Sequence, residues 1–149
     1  MANTFTQLLY HLVFSVKNRE RVIEAGRRDD LYGYLWGISQ NLQCHLYRIG
    51  GVEDHIHICV GIHKTVAVAD YVEKMKTGSS NWIRRESIYP NWPGWQDGYG
   101  AFTLAHSDKD AVIDYIKTQQ EHHRTVSFIE EYKRLLVEAG IPFEEKYLV

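Results

Sequence analysis

The sequence has few of the features that mark secreted or membrane proteins. Its 149 residues include only two cysteines, Cys44 and Cys59, each inside a predicted regular element, so we expect reduced, buried thiols and not a disulfide framework. No apolar run approaches the roughly 20 residues that a membrane helix needs, and the N-terminus lacks the basic-then-apolar pattern of a signal peptide. We therefore expect a cytoplasmic protein with no membrane partner, folded as a single domain over residues 1–149.

The chain also lacks the overall positive charge of many nucleic-acid-binding proteins, since its net charge is −2. The charge is unevenly distributed, however. Residues 16–28 and residues 64–85 each carry an excess of three positive charges, and a local patch is sufficient to neutralise phosphates. The same segments could be ordinary solvated faces, so charge alone leaves nucleic-acid binding open.

The pattern of apolar residues and turn residues predicts an α+β fold. The predicted strands are 4–17, 45–52, 55–62 and 101–105. The predicted helices are 29–44, with Asp29 as N-cap, 66–86, 107–122, opened by a capping box from Ser107 to Asp110, and 127–140. This order is that of the split βαβ arrangement in ferredoxin-like domains: an antiparallel sheet with helices on one face, here with additional C-terminal helices.

The segment D-H-I-H-I-C-V at residues 54–60 is the first candidate site. In a strand, His55 and His57 point to one face about 7 Å apart, while Ile56 and Ile58 point to the helix layer. We expect the imidazoles on the uncovered face, where they could bind one cation. Two polar residues on a solvated sheet face are an equal alternative, so the decision needs a third group.

The third group is predicted on helix 107–122. Tyr115 and Gln119 are four residues apart and share a helical face, on which His122 also falls. A lone tyrosine beside an apolar stripe usually serves packing. A tyrosine with an amide and an imidazole on the same face instead favours a reactive site.

These motifs resemble the single-tyrosine HUH transposases, the enzymes of small insertion sequences that move as single-stranded DNA, and their domesticated relatives that act on repeated palindromes. The similarity covers nearly the whole chain. It runs through the segments YHLVFSVKNR, DHIHICV, KTGSS, WQDGYGAFTLAHS, YIKTQQEHH, SFIEEYKRLL and a C-terminal GI. The resemblance implies a ferredoxin-like core, which agrees with the order of elements.

The resemblance also implies roles for individual residues. His55, His57 and Gln119 would bind Mg²⁺ or Mn²⁺, with His122 assisting or replacing Gln119, and Tyr115 would be the nucleophile. Attack on single-stranded DNA would leave a 5′-phosphotyrosine and a free 3′-hydroxyl that can be rejoined. The DNA would carry a hairpin. The enzyme would be a homodimer in which the tyrosine helix of one chain serves the histidines of the other, with strand YHLVFSV able to supply a sheet-edge interface.

Basic and aromatic residues outside this site could contact the DNA. The predicted DNA-binding residues are Lys17, Arg19, Arg21, Lys76, Ser79, Arg84 and Arg85. Trp82, Trp92, Trp95 and Tyr99 could stack on unpaired bases or pack in the core, whereas core packing is the prediction for Trp36.

Three alternatives remain open. A domesticated palindrome-processing endonuclease would have the same residues as a mobile transposase, and a non-catalytic hairpin-binding protein would leave Tyr115 and the metal ligands unused. A two-histidine phosphoesterase is suggested weakly by H-K-T at His63 and H-R-T at His123.

Overall fold

A computed structural model describes residues 3–148 and contains one four-stranded antiparallel sheet. The strands are β1 (Leu9–Ser15), β2 (His45–Gly51), β3 (His55–Gly61) and β4 (Gly100–Leu104). The helices are α1 (Arg28–Asn41), α2 (Val68–Arg85), α3 (Lys109–Lys117), α4 (Gln119–His122) and α5 (Phe128–Glu138). The strand order β2-β3-β1-β4 confirms the predicted antiparallel α+β arrangement.

One face of the sheet packs against α1 and α2 and forms the hydrophobic core. The apolar residues of β3, Ile56, Ile58 and Val60, are fully buried there. Leu31 and Leu35 of α1 lie one helical turn apart and meet this face. The strand alternation read from the sequence is therefore confirmed, with the isoleucines toward the helix layer.

The opposite face is covered by the C-terminal helices, contrary to the expectation of an uncovered histidine face. Helix α3 packs on β2 and β3, and His55 and His57 are fully buried beneath this second layer. The approach is close because β2 has a glycine at the contact. A Cβ at Gly50 would lie 2.4 Å from the main-chain oxygen of Ile116 in α3, so the helix rests on strand backbone.

Strand β1 is central and pairs with both β3 and β4. The expectation that YHLVFSV supplies a sheet-edge interface is therefore wrong, because its backbone groups are already paired on both sides. The two edges are β2 and β4. Among the described residues, 3–148, no helix has the length and apolar character needed to span a bilayer.

Several local predictions need correction. Helix α1 begins at Arg28 with Arg27 as N-cap, so Asp29 lies in the first turn. Ser107 makes no capping bond and belongs to a short 3-10 turn, His106–Asp108. The predicted helix 107–122 is interrupted at Thr118, where φ is −100° and ψ is 19°, so Tyr115 and Gln119 belong to separate helices.

The KTGSS segment lies within the continuous helix α2. Gly78 faces α1 there, and a Cβ at this position would lie 2.8 Å from Ile38 Cδ1. Ser127 does cap α5, because its hydroxyl accepts a hydrogen bond from the Glu130 amide.

Candidate metal centre and tyrosine

Both histidines of the H-x-H segment lie on the second face of β3, as the alternation predicts. Their ring centroids are 5.0 Å apart. Neither ring is exposed, so the alternative of a solvated sheet face is excluded. Buried imidazoles need hydrogen-bond partners or a metal, and the C-terminal helices supply the surrounding groups.

The carboxylate of Glu131, on the first turns of α5, lies at the centre of the cluster. Its Oε1 is 2.9 Å from His57 Nε2, 3.3 Å from His55 Nε2 and 3.1 Å from His123 Nε2. Glu131 is itself fully buried. One carboxylate oxygen therefore lies between three imidazole nitrogens.

The second oxygen of this carboxylate connects the cluster to the tyrosine. Gln119 Nε2 donates a hydrogen bond to Glu131 Oε2 at 3.1 Å, and the Tyr115 hydroxyl donates to the same oxygen. Gln119 also places its Oε1 3.2 Å from His55 Nε2. The predicted residues Tyr115, Gln119, His55 and His57 thus meet at one point, within a single chain.

Arg134, one turn after Glu131 on α5, completes the surroundings of the tyrosine. Its guanidinium Nη2 donates to the Tyr115 hydroxyl at 3.3 Å. Residues three apart on a helix share a face, which is why α5 directs both side chains at Tyr115. The phenolic oxygen therefore lies between a carboxylate and a cation.

An outer set of contacts orients the histidines. Asp54 Oδ1 lies 2.7 Å from His55 Nδ1, and His11 Nε2 of β1 lies 2.7 Å from His57 Nδ1. The Val126 carbonyl lies 2.6 Å from His123 Nδ1. Each Nδ1 is thus held by a neighbour, and each Nε2 is directed to the centre, the arrangement common in metal sites.

Burial and hydrogen bonding set the protonation states. Burial would raise the pKa of Glu131, but hydrogen bonds from His123, His55 and His57 outweigh it and hold the pKa far below its usual range. Burial lowers the pKa of His57 to about 4. Burial, together with His57, lowers the pKa of His11 to about 3. Near neutral pH, His57 and His11 are therefore uncharged, and an uncharged imidazole is the form that can bind a metal.

Two further groups in the centre have raised pKa values. For His55, burial opposes the charged form, but hydrogen bonds to Asp54 and Glu131 outweigh it and raise the pKa. For Tyr115, burial and the adjacent Glu131 carboxylate raise the pKa of the phenol. The phenol of Tyr115 is therefore protonated in this arrangement.

The donor set fits a divalent cation. Ligand atoms of His55, His57, His123 and Glu131 all lie within 4.8 Å of one another, and three imidazole nitrogens with a carboxylate oxygen are a common ligand set for first-row metals. A buried His/Glu cluster of this kind could bind a metal. A metal site requires ligand atoms to converge in this way, whereas the packing of a hydrophobic core does not.

The sequence reasoning missed Glu131, His11 and Arg134, and it left the role of His123 open. His122, expected beside Gln119, has its Nε2 3.4 Å from Glu131 Oε2 and no hydrogen-bond partner among the described residues. His123 is thus the more central of the pair. The available signal for Glu131 was its place in SFIEEYKRLL, one of the segments that carry the family resemblance, where a second, exposed glutamate adjoins it.

The basic residues divide among three surfaces. Lys17, Lys76 and Arg84 line one polar cavity of about 370 Å³, hereafter the basic cavity. Arg19 and Arg21 line a second cavity of about 280 Å³ beside Asp54 and His123. Arg85 is exposed and pairs with Glu86.

Ser79 is the exception among the residues predicted to bind DNA. Its side chain is fully buried, donates to the Met75 carbonyl at 2.6 Å and accepts from Trp95 Nε1 at 2.9 Å. It therefore stabilises the packing between helix α2 and the following loop and is inaccessible to DNA.

The tryptophans differ from prediction in one case. Trp92 and Trp95 are buried and donate to Ser80 and Ser79, so they follow the packing alternative. Trp82 stacks on Tyr34 with ring centroids 4.6 Å apart. Trp36, expected in the core, is 50% exposed because the buried stripe of α1 runs through Leu31 and Leu35.

The two H-x-T segments lie at opposite ends of β3. At the start of the strand, the ring of His123 meets the ring of His55 edge to face, with centroids 4.5 Å apart. His63 lies two residues beyond Gly61, the last residue of the strand, and bonds to Thr65. The paired geometry of a two-histidine phosphoesterase is therefore absent from residues 3–148.

The fold and the centre define a class of protein: a four-stranded α+β domain with a buried His/Glu cluster on a central strand and a tyrosine beside it. Residues 4–119 match the family described as transposase IS200-like, so the chain belongs to the IS200-like transposase family. Among curated proteins, none matches the sequence.

Two solved structures share the fold. One is a Deinococcus radiodurans protein assigned as a transposase, with 22% identity and a TM-score of 0.63, covering 80% of this chain and 95% of that one. The other is a REP-associated tyrosine transposase bound to a REP hairpin, with 11% identity and a TM-score of 0.64, covering 85% and 74%. At these identities the comparison establishes the common fold.

Proposed function

We propose that this protein is a metal-dependent single-strand DNA transposase that binds a DNA hairpin and cleaves and rejoins the strand through a phosphotyrosine at Tyr115. The observation that carries the proposal is the meeting of Tyr115 with His55 and His57 at one buried carboxylate. Membership of the IS200-like transposase family supports the reaction class.

Tyr115 would form the covalent intermediate. Its oxygen bonds to phosphorus as the bond from phosphorus to the 3′-oxygen breaks, which leaves a 5′-phosphotyrosine and, after protonation by water, a free 3′-hydroxyl. Glu131 orients the phenol through the hydrogen bond that it accepts. The phenolic proton leaves to water, which reaches the partly exposed Tyr115. Arg134 then faces the developing negative charge on the phenolic oxygen.

His55, His57, His123 and Glu131, with Gln119 beside them, would hold the metal. A bound divalent ion would polarise a nonbridging phosphate oxygen and orient the phosphate for in-line attack. Several imidazole nitrogens among the ligands favour Mn²⁺ over Mg²⁺, which prefers oxygen ligands. His11 and Asp54 keep the imidazoles in position, so the site is oriented before any substrate arrives.

The DNA partner is proposed from charge and from the related fold. The basic cavity brings Lys17, Lys76 and Arg84 together although they come from separate parts of the sequence, and such clusters contact phosphates. The REP-associated transposase with the same fold binds a hairpin. We propose the same class of ligand here, whether the protein is a mobile transposase or a domesticated endonuclease.

A covalent-adduct assay tests the proposal. Hairpin oligonucleotides with single-stranded flanks, drawn from DNA flanking the gene and labelled 3′ of the cut, are incubated with the protein and Mn²⁺. Wild type should acquire the label in a denaturation-resistant adduct. Tyr115→Phe should bind the hairpin but form no adduct, whereas the matched variant Tyr47→Phe, on the edge strand β2, should react as wild type.

The assay also separates the alternatives. Hairpin binding without cleavage by the wild type would favour a non-catalytic binding protein. Cleavage by Tyr115→Phe, or release of a free 5′-phosphate without an adduct, would mean that water is the nucleophile and that the proposed function is wrong.

A further inference from the structure

A cavity of about 200 Å³ lies between the end of β1, the loop before β4, helix α5 and the C-terminal 3-10 turn Glu145–Tyr147. Five aromatic residues line it: Phe14, Tyr99, Phe128, Tyr132 and Tyr147. We name this cavity the aromatic slot. Its residues take no part in the metal centre or in the basic cavity, apart from the shared loop residues Gln96 and Asp97.

Two rings of the slot are accessible to solvent. Tyr147 is 75% exposed and Tyr99 is 38% exposed, whereas Phe128, at the inner end, is buried. Polar groups from Ser15, Gln96 and Asp97 line the same cavity. Flat aromatic walls with a polar border suit a flat, amphipathic ligand, and a nucleobase has this chemistry because every base has a π-face and a hydrogen-bonding edge.

The position of the slot also suits a DNA strand. At its inner end, Phe128 stacks on His55 of the metal centre with ring centroids 4.3 Å apart, and on Tyr132 with centroids 5.4 Å apart. At its outer end, Gln96 and Asp97 border the basic cavity. The slot therefore lies between the place proposed for the scissile phosphate and a cluster of positive charge that can hold another phosphate.

The slot is held in shape by contacts that need no ligand. Lys76 Nζ donates to the Gln96 carbonyl at 2.8 Å and lies 5.9 Å from the centre of the Tyr99 ring. The main-chain amide of Gln96 donates to the Ser15 carbonyl at 2.8 Å. On the other side, Lys133 of α5 pairs with Glu145, in the turn that carries Tyr147, at 2.9 Å. A preformed wall reduces the entropic cost of binding.

We propose that the aromatic slot binds an unpaired base of the DNA strand that is cleaved, next to the scissile phosphate. The inference rests on the proposed function, since it places the strand relative to the metal centre. It assigns to Tyr99 and Tyr147 a role in binding single-stranded DNA and gives the C-terminal turn a function outside the match to the family, which ends at residue 119.

Binding of hairpin oligonucleotides with 2-aminopurine at successive positions of the single-stranded flank tests this inference. At one position near the cut, stacking in the slot of the wild type should quench the fluorescence of 2-aminopurine. The fluorescence at that position should be higher when Tyr99→Ala or Tyr147→Ala binds the same oligonucleotide. Affinity for the flanked hairpin should fall by about 5- to 150-fold in these variants, the usual effect of removing one stacking side chain. Tyr147→Phe keeps the ring and should bind as wild type.

Two controls separate stacking from general effects. Trp36→Ala removes an exposed aromatic residue from α1, on the opposite layer, and should leave binding unchanged. An abasic site at the quenched position should weaken wild-type binding but have little further effect on the double variant Tyr99→Ala/Tyr147→Ala, because the base and the two rings form the same contacts.

The outcomes distinguish this inference from the proposed function. If the wild type forms the Tyr115 adduct while Tyr99→Ala and Tyr147→Ala bind the flanked hairpin as tightly as wild type, the slot is not a base site and the transposase assignment stands. If the wild type neither binds the flanked hairpin nor forms an adduct, both proposals are wrong.

Discussion

Replacing Glu131 with glutamine tests the central feature of the site, a buried carboxylate shared by the histidines and the tyrosine. The side chain keeps its size, but one acceptor oxygen becomes an NH₂ group. Gln119 and Tyr115 both donate to Oε2, and three imidazoles approach Oε1 at 2.9–3.3 Å. At least one donor therefore loses its partner, and the negative charge that the cluster surrounds is removed.

The expected magnitude follows from burial. Removing one member of a fully buried, hydrogen-bonded charge cluster costs about 3–5 kcal/mol. Since a domain of this size is stable by about 5–15 kcal/mol, Glu131→Gln in chelator should be clearly less stable yet still folded. Urea denaturation measures the difference. Glu130→Gln is the matched control, because Glu130 is the neighbouring exposed carboxylate on α5, and it should change the free energy of unfolding by no more than about 0.5 kcal/mol.

The pH dependence of this difference has a definite sign. The pKa of Glu131 is lowered by folding, so its contribution to stability is complete above the ordinary glutamate value of about 4.3. As pH falls below that value, the wild type should lose this contribution by about 1.4 kcal/mol per pH unit. The difference in free energy of unfolding between the wild type and Glu131→Gln should therefore narrow.

Metal binding gives a second measurement on the same variant. If Glu131 is a ligand, calorimetry should show Mn²⁺ affinity lowered by at least about tenfold. The reasoning is refuted if Glu131→Gln matches Glu130→Gln in stability and matches the wild type in Mn²⁺ affinity, since the carboxylate would then neither stabilise the cluster nor bind the ion.

Four further predictions follow from the geometry. His57→Ala should abolish Mn²⁺ binding and, because His57 is fully buried beside Glu131, should also lower the free energy of unfolding in chelator by about 1–3 kcal/mol; an unchanged thermal midpoint would contradict this. Arg134→Gln should slow adduct formation by about 10- to 100-fold while changing hairpin affinity less, the effect being limited because Arg134 is exposed; an unchanged adduct rate would exclude a role for its charge. A mixture of Tyr115→Phe and His57→Ala chains should stay inactive, because Tyr115 lies at the histidines of its own chain; restored activity would show that the tyrosine serves a partner, as the family resemblance implies. Gly50→Ala should destabilise by about 1–3 kcal/mol or more, since its Cβ would meet the Ile116 main chain, whereas Gly78→Ala meets only the mobile end of Ile38; equal effects in denaturation would contradict this.

Local periodicity was sufficient to predict part of the arrangement. The alternation in β3 placed His55 and His57 on one face. The four-residue spacing predicted that Tyr115 and Gln119 lie close together, although the break at Thr118 puts them in separate helices. Neither inference needs knowledge of distant contacts. The error lay in the environment of the histidines. Their face of the sheet was expected to be uncovered but is buried, and nothing in residues 54–60 indicates that α3 to α5 pack there.

Glu131 and His11 could not be found in this way. Glu130 and Glu131 are adjacent and chemically identical, and only the orientation of α5 decides which of them is buried. His11 alternates with Leu12 in a strand whose two faces both become buried. Its contact with His57 depends on the pairing of β1 with β3, a long-range fact that spacing does not contain.

Gly50 limits how this centre could be transplanted into another protein. A designer who copied only the side chains proposed to bind metal or DNA would omit a residue with no side chain at all. Yet the hydrogen at position 50 lets α3 rest directly on strand backbone at Ile116, next to Tyr115. Any larger residue would force α3 away from the strand, and Tyr115 would be displaced with it.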